Sequence, residues 1–509
     1  MRRMFYCFII LLSLTSCKAE KKAVINYEAD SIRYPVFAGQ FYAADSSKLI
    51  LQIKTFLDNA KPVKVENPVA IIVPHAGYIY SGQIDADAYN QVKNNNYDIV
   101  VVLGTNHTTA GFSKLGIYPN GAFATPIGAA KIDNKIADEL IKNDPDVKVN
   151  LAVHAKEHSI EVQIPFIKYL FPNAKIIPII VGEPEINMCI KFGEVLARIM
   201  KDKKVLIVAS SDLSHYPDFN EAVKVDNKTL KTIAGMNLND ITSEMQNQLE
   251  QNIPQLATCA CGEAPIIAAV AAAKAMGANS ASIISYSNSG YNSIGSTDRL
   301  VGYGAVVFSK AKPASVLDVD SLIINNSYKL TSSDKKTLLR YARKTLEQYF
   351  SSQTLPLPRD INPMLKIKRG AFVTLTKHGK LRGCIGRMAE DTPLCTVVGS
   401  MALQAALNDT RFSPLTQVEL SQIEYEISVL TPLTQVGSAD DIVLGRDGVV
   451  VKKGERQAVF LPQVASENGW SKEMFLDQLC LKAGLKSGDW KNAQLFTFHA
   501  DVFGDSEFR

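Results

Sequence analysis

The sequence predicts an α/β domain followed by a smaller α+β domain, and three observations carry that reading. Between residues 33 and 309, six short runs are apolar and β-rich without polar alternation: Pro68–Val73, Ile99–Leu103, Lys175–Val181, Val205–Ala209, Ala281–Tyr286 and Val301–Phe308. Continuous apolar strands of this kind are buried on both faces of a sheet. Helical patterns lie between them, for example Ser47–Asp58 and Glu263–Met276, as a sheet flanked by helices requires. Beyond a short polar, proline-containing linker at 310–328 the grammar changes. A helix at Asp334–Phe350 is followed by a proline-rich loop, and the strand Gly370–Lys377 then turns through His378-Gly379-Lys380 into Leu381–Ile385, a hairpin.

At 509 residues the chain exceeds one core, in keeping with two domains. Its 46% apolar and 21% charged residues suit globular domains, and the formal charge of +4 is scattered rather than striped, which argues against nucleic acid as a partner. The N-terminus reads differently. Arg2 and Arg3 precede the apolar stretch Phe5–Leu14, too short to span a membrane, and Leu14-Thr15-Ser16-Cys17 resembles a bacterial lipobox. The resemblance implies a leader at 1–16, lipidation of Cys17, a tether at 17–32 and a lipid-anchored place in the cell envelope. Apart from Cys7 and Cys17, six cysteines remain, at 189, 259, 261, 384, 395 and 480, too dispersed for a disulfide framework, although an oxidising envelope leaves room for one bridge.

Histidine placement carries the chemistry. Five of the seven histidines fall between residues 75 and 215, and three follow apolar strands directly: His75, His107 and His215. The carboxyl ends of strands in an open α/β sheet form the ligand crevice, so residues distant in sequence converge there. His75 and His107 lie on glycine-containing turns (Gly77, Gly104), where backbone approaches a ligand closely. Asp212 shares a loop with His215 and orients it, serves as a base, supports a neighbouring ligand from behind, or, like Ser211, caps a helix. Cys261 precedes Gly262 and a predicted helix whose N-terminus would lower its thiol pKa, with Cys259 as a rival thiol. Glu157–Glu161 begins a predicted helix that places His158 and Glu161 on one face, lining the crevice or facing solvent. Histidines with an anionic ligand suit iron, copper or zinc. HExxH, P-loop, GxGxxG and GxSxG patterns are absent from the sequence.

These stretches resemble a known family. The run Arg33–Tyr42, PHAGYIYSG from Pro74, GTNH from Gly104, EHSIEVQIPF from Glu157, SSDLSH from Ser210 and CGEAPI from Cys261 are similar to the Memo-like family, system protein B of the AmmeMemoRadiSam group, across 33–309. The resemblance implies an α/β fold like the catalytic subunit of class III extradiol dioxygenases, with His75, His107 and Cys261 as ligands of iron or copper, ahead of zinc. His215 and Asp212 would complete the crevice. Cys261 stands where the dioxygenases carry a carboxylate, and a thiolate is softer and redox-active. Residues 329–509 resemble the AMMECR domain, system protein A, through Leu381-Arg382-Gly383-Cys384-Ile385-Gly386, FSPL from Phe412, EISVL from Glu426, and FLPQV from Phe460 followed by Trp470. Arg382 and Cys384 either form a small site or shape a tight strand. The functions implied are a metal-dependent oxidoreductase acting on a small molecule, a non-catalytic metal- or partner-binding scaffold, or an accessory unit of a radical SAM protein.

Overall fold

The computed structural model describes residues 32–182, 185–291, 299–312, 330–358, 362–431 and 433–508. The predicted leader, Cys17 and nearly all of the predicted tether and linker lie outside them. No helix among the described residues is long and apolar enough to cross a membrane.

The first domain opens with β1 (Ile32–Arg33), α1 (Ser46–Asp58), β2 (Pro68–Val73), α2 (Tyr78–Val92), β3 (Ile99–Thr105) and β4 (Leu115–Ile117). A small hairpin, β5 (Ala122–Thr125) and β6 (Gly128–Lys131), leads to α3 (Asn134–Asn143), β7 (Val147–Val149), α4 (Ala152–Ala155) and α5 (Ile164–Leu170). Then come β8 (Lys175–Val181), α6 (Ile186–Ile199), β9 (Val205–Ser210), α7 (Phe219–Ala234), α8 (Leu238–Glu250), α9 (Glu263–Ala275), β10 (Ser280–Asn288) and β11 (Gly302–Ser309). All six predicted strands are present, within two residues of their expected ends.

They belong to one mixed sheet of order β10-β11-β2-β9-β3-β8-β4-β7. Its centre, β2-β9-β3-β8, is parallel. Both faces are covered, which explains the continuous apolar runs. Val101, Leu103 and Ile177 face a core shared with α6 and α9, while Val100, Val102 and Ile176 face one shared with α1, α2 and α5. At the α6–α9 contact Gly193 is required, since a Cβ there would sit 2.6 Å from Ala271 Cβ and 2.7 Å from the Ala268 carbonyl.

The second domain starts with α10 (Ser332–Ser352), capped by Thr331 and Asp334 in a reciprocal capping box. The predicted hairpin is β12 (Ala371–Lys377) and β13 (Lys380–Arg387); His378 and Gly379 at its turn take φ of 51° and 71°, as a two-residue turn demands. After α11 (Leu394–Leu407) come β14 (Ile423–Leu430), β15 (Thr434–Val436), β16 (Gly448–Lys453), β17 (Arg456–Phe460), α12 (Gln463–Asn468), α13 (Lys472–Lys482), β18 (Gln494–Phe498) and β19 (Ala500–Gly504). These strands form two sheets, β13-β12-β14-β19 and β15-β18-β16-β17, with α10 and α11 on the first. The six described cysteines are all free thiols, so the disulfide left open by the sequence does not form among them.

Candidate metal centre

β2, β9 and β3 are parallel neighbours, so the segments leaving their carboxyl ends emerge side by side. His75, His215 and His107 follow these three strands. A fourth histidine joins them. His75, His107 and His158 each offer a ring nitrogen, and these atoms lie within 4.8 Å of one another. The ring centroids are 5.1 Å apart for His75 and His107, 5.3 Å for His75 and His158, and 4.7 Å for His107 and His158.

The surroundings fix which nitrogen each ring presents. Ser210 Oγ donates to the Ser159 carbonyl (2.6 Å) and accepts from Gln163 Nε2 (3.2 Å). With its proton committed, it accepts from His75 Nδ1 at 3.1 Å. The Nδ1–H tautomer of His75 is thereby selected, and the Nε2 lone pair points into the pocket. His107 is fixed similarly. Its Nδ1 lies 3.0 Å from Glu157 Oε1, and its backbone N–H donates to Oε2 of the same carboxylate at 2.7 Å. Glu157 also accepts the backbone N–H groups of His158 and Ser159, each at 2.9 Å. Burial pushes the Glu157 carboxyl up, but these bonds, led by that from His107, outweigh it and bring the pKa down to about 2.

A buried ion pair positions His158. Arg33 Nη1 and Glu161 Oε2 meet at 2.7 Å in the interior. Glu161 also accepts the N–H groups of Val36 and Phe37 and the hydroxyl of Tyr42, so its charge is fully partnered. This pins the 36–42 turn, whose Phe37 and Phe41 rings pack 5.5 and 5.0 Å from the His158 ring. Burial holds His158 down to about 4 and His75 well below its usual value, so both rings are neutral and available as ligands. His158 lines the crevice, one of the two alternatives, but not from a helix face shared with Glu161. Glu161 starts a single 3-10 turn and points away into the Arg33 pair.

Cys261 Sγ lies 3.1 Å from His75 Nε2, so the thiol reaches the same pocket. The expectation of a lowered thiol pKa is corrected. Burial, and then the nearby Asp212 carboxylate, raise it well above the usual value. α9 starts only at Glu263 with Gly262 as its cap, so the thiol sits outside the first turn. Gly262 is required by packing, since a Cβ there would lie 2.6 Å from Ser211 Cβ. Cys259, the rival thiol, is buried in the core and faces the Met245 carbonyl.

Of the roles considered for Asp212, the structure shows that of a supporting partner, but to His75 rather than to His215. Asp212 Oδ1 accepts the His75 backbone N–H at 2.7 Å, so it anchors the His75 turn rather than orienting the His215 imidazole. No helix starts directly after Ser211 or Asp212, where His215 bridges Thr258 and Val301; the Ser211 hydroxyl instead accepts the N–H of Gly262, the residue ahead of α9, at 2.9 Å. Burial raises the Asp212 carboxyl to about 7. His215 is held down to about 4 by burial and then by His107, and its Nε2 is buried with no hydrogen-bond partner among the described residues.

In the second domain, Arg382 donates through Nε and Nη2 to the two oxygens of Glu419, both at 3.2 Å, and through Nη1 to the Ser413 carbonyl. Cys384 Sγ accepts the Thr374 hydroxyl at 3.2 Å, and its N–H donates to Asp409. The adjoining glycines have a packing role. A Cβ on Gly383 would meet the Ala405 carbonyl oxygen at 2.1 Å, and one on Gly386 would meet the Phe372 ring at 2.0 Å.

Comparison with known proteins gives matches to both domains. The family described as Memo-like protein matches residues 33–307, and that described as AMMECR1 matches 339–503. A MEMO1 family protein of Methanobrevibacter smithii is 34% identical over 293 residues, which covers 54% of this chain and 99% of that protein. One from Aquifex aeolicus is 34% identical over 278 residues, with the same coverage of each. The crystal structure of an uncharacterized protein from Pyrococcus horikoshii is 34% identical with a TM-score of 0.33, covering 35% of this chain and 94% of its own.

Proposed function

The chain belongs to the Memo-like protein family and carries an AMMECR1 domain after it, and from that premise we propose that its first domain binds one iron or copper ion and acts as an oxidoreductase on a small molecule. One observation carries the reading. Ser210 and Glu157 take the Nδ1 positions of His75 and His107, which leaves Nε2 of each ring for a ligand, and the rings of His75, His107 and His158 each offer a nitrogen within 4.8 Å of the others. A cation would bind these ring nitrogens together, and Cys261 Sγ, 3.1 Å from His75 Nε2, stands at the same place.

His75, His107 and His158 would hold the metal, with Cys261 beside His75 as a softer donor. Such an ion supplies Lewis acidity and, for iron or copper, one-electron chemistry. The protein's own contribution is proton handling and exclusion of water. His215, with its pKa held down to about 4 and an Nε2 without a partner among the described residues, would take a proton from a bound hydroxyl or return one. Asp212 holds the His75 turn in register. Phe37 and Phe41 wall off the His158 side.

Metal analysis of the purified chain tests the reading, alongside a His75→Ala/His107→Ala double variant. The wild type should retain about one metal equivalent per chain and the double variant almost none. Equal contents would overturn the site. Oxygen uptake with catechols and thiols then asks for turnover.

A second reading rests on the proximity of Cys261. If the thiol joins all three imidazoles, the site is closed at four ligands and serves binding rather than catalysis. Cobalt(II) substitution separates the two, because an intense thiolate-to-cobalt charge-transfer band would mark the closed form. We also propose that Cys17 carries a lipid anchor. Mass spectrometry of the N-terminal peptide from the expressing cell should find a lipidated Cys17, and an intact Met1 would refute it.

A further inference from the structure

We propose that the second domain is a positioning partner of the metal pocket: docked, it holds the turn after His75 and the loop over His158, and undocked it releases both. The two domains exchange core residues. Ile79, four positions past His75, packs against the core of the second domain. Leu357, from the segment following α10, packs against the core of the first. Polar contacts flank this exchange. Gln52 Nε2 donates to the Gln353 carbonyl at 3.3 Å while Gln52 Oε1 accepts the Ala43 N–H, so one buried side chain joins the second domain to the 36–45 loop. Lys344 Nζ donates to Asn59 Oδ1 at 3.2 Å. On the other side of the pocket, Lys368 Nζ lies 5.3 Å over the ring of Phe219, four residues beyond His215.

Three of these contacts fall on segments that adjoin pocket side chains: Ile79 follows His75, Phe219 follows His215, and Gln52 reaches the loop that carries Phe41. These segments are also linked to one another. The Phe41 carbonyl accepts the Tyr78 N–H at 2.7 Å, which couples the loop covering His158 to the first turn of α2, beside Ile79. The docking is not sealed. A cleft of about 450 Å³ remains between the domains, lined by Phe41, Lys48, Gln52, Ile79, Tyr349 and Gln353. An interface of this mixed character resembles those that open and close, rather than a fused core. Because the contacts are shared, whatever shifts the pocket loops shifts docking by the same free energy, and the reverse holds.

Hydrogen exchange and small-angle scattering on the full chain, without added metal, test this independently of the metal reading. The wild type should scatter as a compact particle. Leu357→Asp should extend it and raise amide exchange in 37–45 and 77–80 by about five-fold or more, while β3 and β8 keep their protection as the sign of an intact first domain. Lys368→Glu, at a half-buried position that belongs to neither core, should add to the effect. The proposal is overturned if the wild type is already extended. It is equally overturned if the variants undock and exchange in 37–45 and 77–80 is unchanged, or if the double variant stays compact with both segments still protected.

Discussion

Glu157 engages His107 with both carboxylate oxygens, Oε1 at the ring Nδ1 and Oε2 at the backbone N–H. One side chain thus sets the tautomer of the ring and the position of its main chain. Replacing it by glutamine keeps the shape but removes the charge and turns one acceptor into a donor. Glu157→Gln should weaken metal affinity by about 10–100-fold, as loss of such an orienting partner does. Competition against a chromophoric chelator measures this, and an affinity equal to wild type would rule out the assigned role.

Ser210 plays the corresponding part for His75. Ser210→Ala leaves the Ser159 carbonyl, Gln163 Nε2 and His75 Nδ1 each short of a partner in the interior. A loss of about 1–3 kcal/mol in unfolding free energy follows. Metal affinity should drop as well, by about ten-fold, because the ring is free to take the other tautomer. Chemical denaturation and chelator competition on the same preparation read both effects.

Which parts of this site were legible follows from how each is encoded. The strand ends were legible because β2, β3 and β9 are buried on both faces and must be apolar throughout, so the residues after them stand out. That His158 lines the crevice was one of two alternatives, and local pattern did not decide between them. The place of His158 depends on a turn pinned by Arg33 and Glu161, 128 positions apart, and no local pattern announces such a pair. Cys261 shows a different failure. A helix N-terminus favours a thiolate only where the thiol shares the first turn, and here burial and Asp212 act more strongly. In the second domain the hairpin was readable from its His378-Gly379 turn. The two-sheet arrangement was not, since β15 and β16 both meet β18 by long-range pairing.

Acid should destabilise the metal-free protein through its histidines. The His215 pKa is about 4 in the folded state against an ordinary 6.5, so between those values the unfolded chain binds the proton better. Its contribution to stability is complete above 6.5 and is lost as pH falls through 4. His215→Gln, which cannot titrate, should therefore show a smaller fall in Tm between pH 7 and pH 5 than the wild type. Equal falls would mean that His215 keeps its ordinary pKa. Asp212, raised to about 7, has the opposite sign and is common to both proteins, so it cancels in the comparison.

The second domain offers a test of packing separate from the pocket. Gly383 lies on β13, where a Cβ would meet the Ala405 carbonyl oxygen of α11 at 2.1 Å. That oxygen belongs to helix backbone and cannot swing aside as a flexible side chain would. Gly383→Ala must separate β13 from α11, at a cost of about 1–3 kcal/mol or more. The neighbouring Arg382–Glu419 pair would be displaced with the strand. In calorimetry the transition belonging to the second domain should move down, while the first domain, whose sheet and cores do not include β13, keeps its own. A variant in which both transitions stay in place would show that β13 and α11 have slack between them, and that Gly383 is not required by this contact.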